Sequence, residues 1–73
     1  MEWGNIARYI RGQTGLSQEE FAHELGITVG TVNRWENGRF KPSRLARGTL
    51  QEYAKNRSIS LDPLVVEAAL KAA

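Results

Sequence analysis

The sequence has no cysteine and only one histidine, which excludes a disulfide framework or a zinc site as the source of stability. It has no apolar run near the ~18 residues of a membrane helix. Its N-terminus also lacks the pattern of a secretory signal, so we expect no membrane partner and a cytoplasmic protein. A chain of 73 residues has room for one domain, residues 1–73, held together by helix packing or oligomerisation.

The residue sets that enzymes need are also missing. There is no pair of carboxylates, no Ser–His–Asp set, no phosphate-binding glycine loop and no cluster of metal ligands. We interpret His23 as a surface residue, since no cysteine or second histidine could share a metal with it. Ser17 and Ser43 are interpreted as helix caps rather than nucleophiles. We therefore expect no enzymatic activity, no metal and no cofactor.

Positive charge is concentrated in one segment, although the formal net charge is only +2. Of ten basic and eight acidic residues, residues 34–47 hold five basic residues and one acid, Glu36. The rest of the chain is left with five basic and seven acidic residues. Such a segment is typical of a nucleic-acid contact or, alternatively, of a solvated basic loop. Its basic residues are Arg34, Arg39, Lys41, Arg44 and Arg47.

Hydrophobic periodicity predicts five helices and no strand, an all-α fold. The first helix spans about residues 3–13. The second follows Ser17, which forms a capping box with Glu20 and precedes a terminating Gly26. Thr28 caps a third helix that extends to about Glu36.

The fourth and fifth helices are predicted to begin at Pro42-Ser43 and at Asp62-Pro63, after a linker at 56–61. The fifth, residues 62–72, either closes the core or forms a dimer contact. The predicted apolar stripes are Leu45, Ala46, Leu50, Tyr53 and Ala54 in the fourth helix, and Leu64, Val65 and Ala68, with Leu61 as a further candidate, in the fifth.

Residues 17–37 have the layout of a helix-turn-helix. Gly26 allows a tight turn, and Ala22 is small enough for a close crossing of the two helices. Val32 and Trp35 are the only apolar anchors of the third helix, so its opposite face is free to enter the DNA major groove. Trp35 could instead stack on single-stranded bases, but its spacing from Val32 favours the core.

The chain resembles the lambda-repressor-like helix-turn-helix family, of the Cro/phage-repressor or xenobiotic-response-element type. The resemblance is close over residues 11–43 and implies a compact five-helix fold. It is carried by Arg11, Gly15-Leu16-Ser17-Gln18, Ala22, Leu25-Gly26-Ile27, Val32, Arg34-Trp35-Glu36, Gly38 and Pro42-Ser43.

The resemblance implies a role for each matching position. Three positions would face bases, namely Val29, Gly30 and Arg34. Thr31 could contact either the bases or the phosphate backbone. Positions that would contact the phosphate backbone are Gln18, Asn37, Arg39 and Lys41. A partly buried structural ion pair would join the first helix to the end of the third, formed by Arg11 and Glu36.

Direct reading of bases is expected to be sparse, because Val29 and Gly30 offer no side-chain hydrogen bonds. It depends on Arg34, which suits bidentate bonding to guanine, with Asn33 and Thr31 in support. One such pair supplies ~1–3 kcal/mol of discrimination, so a homodimer on a two-fold site, DNA shape, or both must supply the rest.

Three side chains keep alternative interpretations. Arg44 lies near a helix start, where a cation opposes the helix dipole, which indicates phosphate contact or else a solvated face. Arg47 has the same alternatives. Trp3 is either a core residue or part of a partner contact.

The leading hypothesis is a transcriptional regulator, a repressor acting by occupancy, that binds specific double-stranded DNA through helix 28–36. A second hypothesis is the antitoxin of a toxin–antitoxin pair, which would bind a toxin protein and its own promoter. A third is a helical protein-interaction module that does not bind DNA, which the bare Val29-Gly30 pair keeps open.

Overall fold

The structure, a computed structural model, describes residues 2–72 and contains five helices. They are α1 (Trp3–Thr14), α2 (Gln18–Leu25), α3 (Val29–Glu36), α4 (Arg44–Asn56) and α5 (Pro63–Ala72). No strand occurs in this range, so the predicted all-α fold is confirmed. None of the helices in residues 2–72 is long and apolar enough to span a bilayer.

The predicted helix starts are confirmed by their hydrogen bonds. The Ser17 hydroxyl accepts the Glu20 N–H at 3.1 Å, and the Glu20 carboxylate accepts the Ser17 N–H at 2.9 Å, completing the capping box. The pKa of the Glu20 carboxyl is lowered, first by its hydrogen bond with the Ser17 backbone and second by its interaction with the Ser17 side chain, because both favour the ionised form. Thr28 caps α3, and Asp62 accepts the Leu64 N–H at the start of α5.

The turn between α2 and α3 is closed by two backbone bonds. Gly26 is left-handed, with φ of 72°, and its N–H donates to the His23 carbonyl at 3.1 Å. The next N–H, of Ile27, donates to the Ala22 carbonyl at 3.0 Å, which completes a Schellman motif. A side chain at position 26 would strain this turn, so the glycine sets how α3 leaves α2.

The core forms where α1 to α4 meet. α3 packs against both α1 and α2, and α4 contacts the same two helices. Phe21 is fully buried and meets Tyr53 edge-to-face, with ring centroids 5.5 Å apart. Val32 and Trp35 are buried as predicted, and Trp3 is partly buried against the same core. Because Val32 and Trp35 hold one face of α3 in the core, the opposite face of the helix is directed outward.

The predicted apolar stripe of α5 is wrong. Val66 is fully buried, whereas Leu64 is 78% and Val65 45% exposed, and Ala68 is exposed as well. Leu61 does pack against the core, before the helix begins. Because α5 is apolar almost all round, periodicity does not identify its buried face, and packing against α1 decides it.

The predicted stripe of α4 is confirmed except at its first residue. Leu50, Tyr53 and Ala54 are buried, but Leu45 is 82% exposed. The buried set is spaced at i, i+3 and i+4, and position 45 projects from the helix on a different side, together with the exposed Thr49. Leu45 is therefore a surface side chain.

Gly4 has a packing role that the sequence analysis missed. A Cβ built on Gly4 would overlap the carbonyl oxygen of Trp35, because the first turn of α1 lies directly against the last turn of α3. Gly12, later in α1, has open space around the same position. The absence of a side chain at position 4 thus permits the closest approach of α1 to α3.

This difference predicts opposite effects for one substitution at two sites of α1. Gly4→Ala is expected to lower the free energy of unfolding by about 1–3 kcal/mol, since the backbones must separate. Gly12→Ala is expected to raise it by about 0.5–1 kcal/mol through helix propensity alone. Urea denaturation of both variants measures the two shifts, and equal stabilisation by both would contradict the close approach.

Candidate nucleic-acid interface

The face of α3 opposite Val32 and Trp35 is accessible along its length. Val29 is 40% exposed, Asn33 and Arg34 are exposed, and Gly30 and Thr31 are partly buried. The two threonine hydroxyls at the start of the helix, of Thr28 and Thr31, are hydrogen-bonded to each other at 2.8 Å. The base-facing candidates therefore share one surface.

Glu36, at the end of α3, forms a bidentate ion pair with Arg11 of α1. Its two carboxylate oxygens accept from Nε and Nη2 of Arg11 at 2.8 and 2.9 Å. The hydrogen bonds to Glu36 raise the pKa of Arg11 and outweigh the opposing effect of burial. Arg11 also donates to the Leu16 carbonyl at 3.1 Å, so it braces the loop before α2. With its side chain only 4% exposed, Glu36 depends on these partners.

Arg8, one turn before Arg11, is a second cation at the same carboxylate, and sequence reasoning missed it. Its Nη2 donates to the Glu36 backbone carbonyl at 2.7 Å, and its Nε lies 3.8 Å from the Glu36 side chain. The spacing of three residues, which puts Arg8 and Arg11 on one face of α1, was the available signal. Arg8 thus satisfies the last carbonyl of α3, while Arg11 pairs with the side chain of the same residue.

A chain of amide hydrogen bonds extends from Glu36 to the exposed face of α3. Gln18 Nε2 donates to Glu36 Oε1 at 3.2 Å, and Asn33 Nδ2 donates to Gln18 Oε1 at 3.2 Å. Asn37 Nδ2 in turn donates to Asn33 Oδ1 at 3.0 Å. The structure thus brings together two phosphate candidates, Gln18 and Asn37, and one base-facing candidate, Asn33.

Arg34 lies in a different part of this surface. Its guanidinium passes over Gly30, where an added Cβ would be 3.6 Å from Nη2. Its Cζ lies 5.8 Å from the ring centroid of Phe40. Sequence reasoning did not single out Phe40, and its position between Arg39 and Lys41 in the basic segment was the available signal.

The remaining basic residues surround α3 rather than forming one cluster. Arg39 and Lys41 are exposed in the loop after α3. Lys41 and Arg47 line one cavity, beside Trp3, whose ring centroid is 6.0 Å from Arg47 Cζ. Arg44 instead lines a separate groove along α4. Arg44 is thus the phosphate candidate that the structure separates from the others.

The ion pairs of residues 2–72 involve none of the five cations of the basic segment. The single acid of that segment, Glu36, is buried and neutralised by Arg11. Three basic residues elsewhere do have carboxylate partners, namely Arg8, Arg11 and Arg57. Within the same described range, no group of three His, Asp or Glu side chains is placed to hold a metal ion.

The burial of Glu36 predicts that removing one partner of its ion pair costs more stability than removing both. Arg11→Met should lower the free energy of unfolding by about 3 kcal/mol, because the buried carboxylate then keeps only the Gln18 amide at 3.2 Å and the half-exposed Arg8 at 3.8 Å. The double variant Arg11→Met/Glu36→Leu should recover part of that loss, since no charge is left unpaired.

Urea denaturation of the single and double variants tests this. The matched control is Glu24→Gln at the exposed pair with Arg57, where a change within about 1 kcal/mol is expected. A double variant that is less stable than Arg11→Met would show that lost packing, and not an unpaired charge, dominates.

A family model described as Helix-turn-helix matches residues 8–56, which is more than half of the chain and includes α2, α3 and α4. No solved structure matches the chain significantly.

Two relatives illustrate the similarity. An uncharacterized HTH-type transcriptional regulator of Methanothermobacter thermautotrophicus is 36% identical over 56 residues, which cover 70% of this chain and 81% of the relative. The uncharacterized HTH-type transcriptional regulator YiaG of Escherichia coli is 47% identical over 34 residues, 47% of this chain. That match spans only 35% of YiaG. From the family match and the five-helix architecture, the chain belongs to the Cro/C1-type helix-turn-helix family, with a lambda-repressor-like fold.

Proposed function

We propose that the protein binds specific double-stranded DNA, with α3 in the major groove, and regulates transcription. The observation that carries this proposal is the charge state of residues 34–47. All five cations of the segment lack a carboxylate partner within residues 2–72, whereas its only acid is buried and paired. Cations without carboxylate partners, in the segment that begins on α3 and continues past it, suit the phosphate backbone that flanks a groove.

Contacts to phosphate are assigned to the residues that surround α3. Arg39 and Lys41 supply charge from the loop after the helix. Gln18, the first residue of α2, has one N–H engaged by Glu36, and its second N–H remains for a phosphate oxygen. Asn37 can donate in the same way, while Arg44 reaches the backbone from the start of α4.

Reading of bases is assigned mainly to Arg34. Its planar guanidinium matches the two acceptors of guanine in the major groove. Asn33 and Thr31 add polar contacts, and the exposed Val29 suits a thymine methyl group. Gly30 adds no side chain of its own, so the backbone of α3 can approach the bases closely.

The regulatory role is supported by the two relatives described above, both of which are named as HTH-type transcriptional regulators. A small domain that occupies a promoter blocks transcription, so we propose that the protein acts as a repressor. We propose the cytoplasm as its location. One bidentate contact gives ~1–3 kcal/mol of discrimination, which is low for a single copy. We therefore propose that two copies bind a two-fold site, each placing α3 in successive turns of the groove.

Selection from a random duplex pool tests the DNA-binding function. We expect an enriched sequence with two-fold symmetry, and a complex whose mass corresponds to two copies of the chain on one duplex. Three phosphate-contacting cations per copy predict that log K falls against log salt with a slope of about −3 per copy. The absence of an enriched sequence together with a flat salt dependence would exclude the function and favour a protein-interaction module.

Two substitutions distinguish base recognition from phosphate contact. Arg34→Ala is expected to abolish the preference for guanine at one position of each half-site, a loss of about 1–3 kcal/mol of discrimination. Lys41→Ala is expected to weaken binding to all duplexes alike and to reduce the salt slope by about one unit per copy. Competition titrations at several salt concentrations measure both, and identical effects of the two variants would contradict the assignment.

A further inference from the structure

Phe40 is an aromatic side chain that the core does not explain. It is 63% exposed and lies between two cations, Arg39 and Lys41, in the loop after α3. Exposure of a large aromatic ring to water is unfavourable, so its orientation requires a physical reason.

The backbone of Phe40 is attached to the residue that its ring faces. The N–H groups of Arg39 and Phe40 both donate to the Arg34 carbonyl, at 3.0 and 3.4 Å. The ring then lies beside the Arg34 guanidinium, with 5.8 Å between its centroid and Cζ. This is within the range of a cation–π contact. The ring and the guanidinium line one small groove with Thr31 and Trp35.

Gly30 bounds the same guanidinium from within α3. A Cβ at position 30 would be 3.6 Å from Arg34 Nη2 and 4.0 Å from Cζ, so an alanine fits in ordinary van der Waals contact with the guanidinium. The Arg34 guanidinium therefore lies next to both an aromatic ring and a turn of α3 that carries no side chain at position 30.

We propose that Phe40 and Gly30 are positioning residues for Arg34, which hold its guanidinium ready to bind guanine. The inference rests on the DNA-binding function proposed above and deepens it by assigning the residues that determine base preference. It also gives the bare position 30 a use: the missing side chain makes room for the one residue that reads bases strongly.

The arrangement works because the two contacts use different parts of the guanidinium. A cation–π contact uses the face of the planar group, whereas its N–H donors point outward in the plane. Phe40 can therefore hold Arg34 without competing for the donors that bond guanine. Less rotamer freedom is then lost when Arg34 binds its base, and that saving applies only where a guanine is present.

Base discrimination is the quantity to measure. The wild-type chain and its variants are titrated against the duplex enriched by the wild type, and against duplexes changed at the guanine that Arg34→Ala ceases to prefer. Phe40→Leu should lower the preference for that guanine about two- to five-fold, the range expected for an exposed cation–π contact. Preferences at other positions and the salt slope should not change.

Three control variants define what the ring and the glycine contribute. Phe40→Tyr keeps an aromatic face and should keep the preference. Leu64→Ala removes another exposed apolar side chain, on α5, and should change nothing. Gly30→Ala should be tolerated. In the free protein, the NMR signal of the Arg34 Nε–H should lose its ring-current shift in Phe40→Leu and in Gly30→Leu, whereas Gly30→Ala should retain it.

The outcomes separate this inference from the function on which it rests. If Phe40→Leu leaves the guanine preference intact, or weakens all duplexes alike, Phe40 does not position Arg34 and only the present inference fails. If Arg34→Ala reveals no preferred guanine, the proposed reading of bases by Arg34 fails together with this inference, whereas DNA binding itself is not contradicted. If the wild type enriches no duplex at all, the proposed function fails and the inference fails with it.

Discussion

The fold depends on the way a buried carboxylate is neutralised. Glu36 ends α3 in the interior, and Arg11 must reach it from α1 for the charge to be tolerated there. Arg11 also binds the carbonyl of Leu16, so the same guanidinium fixes the loop that leads into α2. The relative positions of α1, α2 and α3 are thus coupled through one ion pair. The close approach of α1 to α3 at Gly4 constrains the position of the same two helices a second time.

The same carboxylate orders part of the surface. Gln18 bonds Glu36 with one amide hydrogen, and Asn33 bonds Gln18, so polar side chains on α2 and α3 are held before any ligand arrives. Pre-ordered donors lose less conformational freedom on binding, which is how a small interface gains affinity. Neutralising Glu36 internally also removes the only negative charge from the basic segment, so no unpaired acid is left within residues 34–47.

Sequence reasoning succeeded where the determinants are local. Ser17, Glu20 and Gly26 act within one or two turns of chain, and their bonds are those predicted. It failed at α5, because Leu64, Val65 and Val66 are equally apolar and only packing against α1 selects the buried one. The roles of Gly4, Arg8 and Phe40 were also missed, since each depends on a contact with α3 whose partner the neighbouring sequence does not specify.

The framework and the proposed reading surface use separate side chains on α3. Val32, Trp35 and Glu36 are buried, whereas Val29, Asn33 and Arg34 are exposed. Substitutions at exposed helix positions usually alter stability by less than about 0.5 kcal/mol, whereas those at buried positions cost far more. Base preference can therefore change at positions 29, 30, 33 and 34 without loss of the fold. The proposed role of Phe40 extends this freedom beyond the helix, because its exposed ring lies outside the packed core.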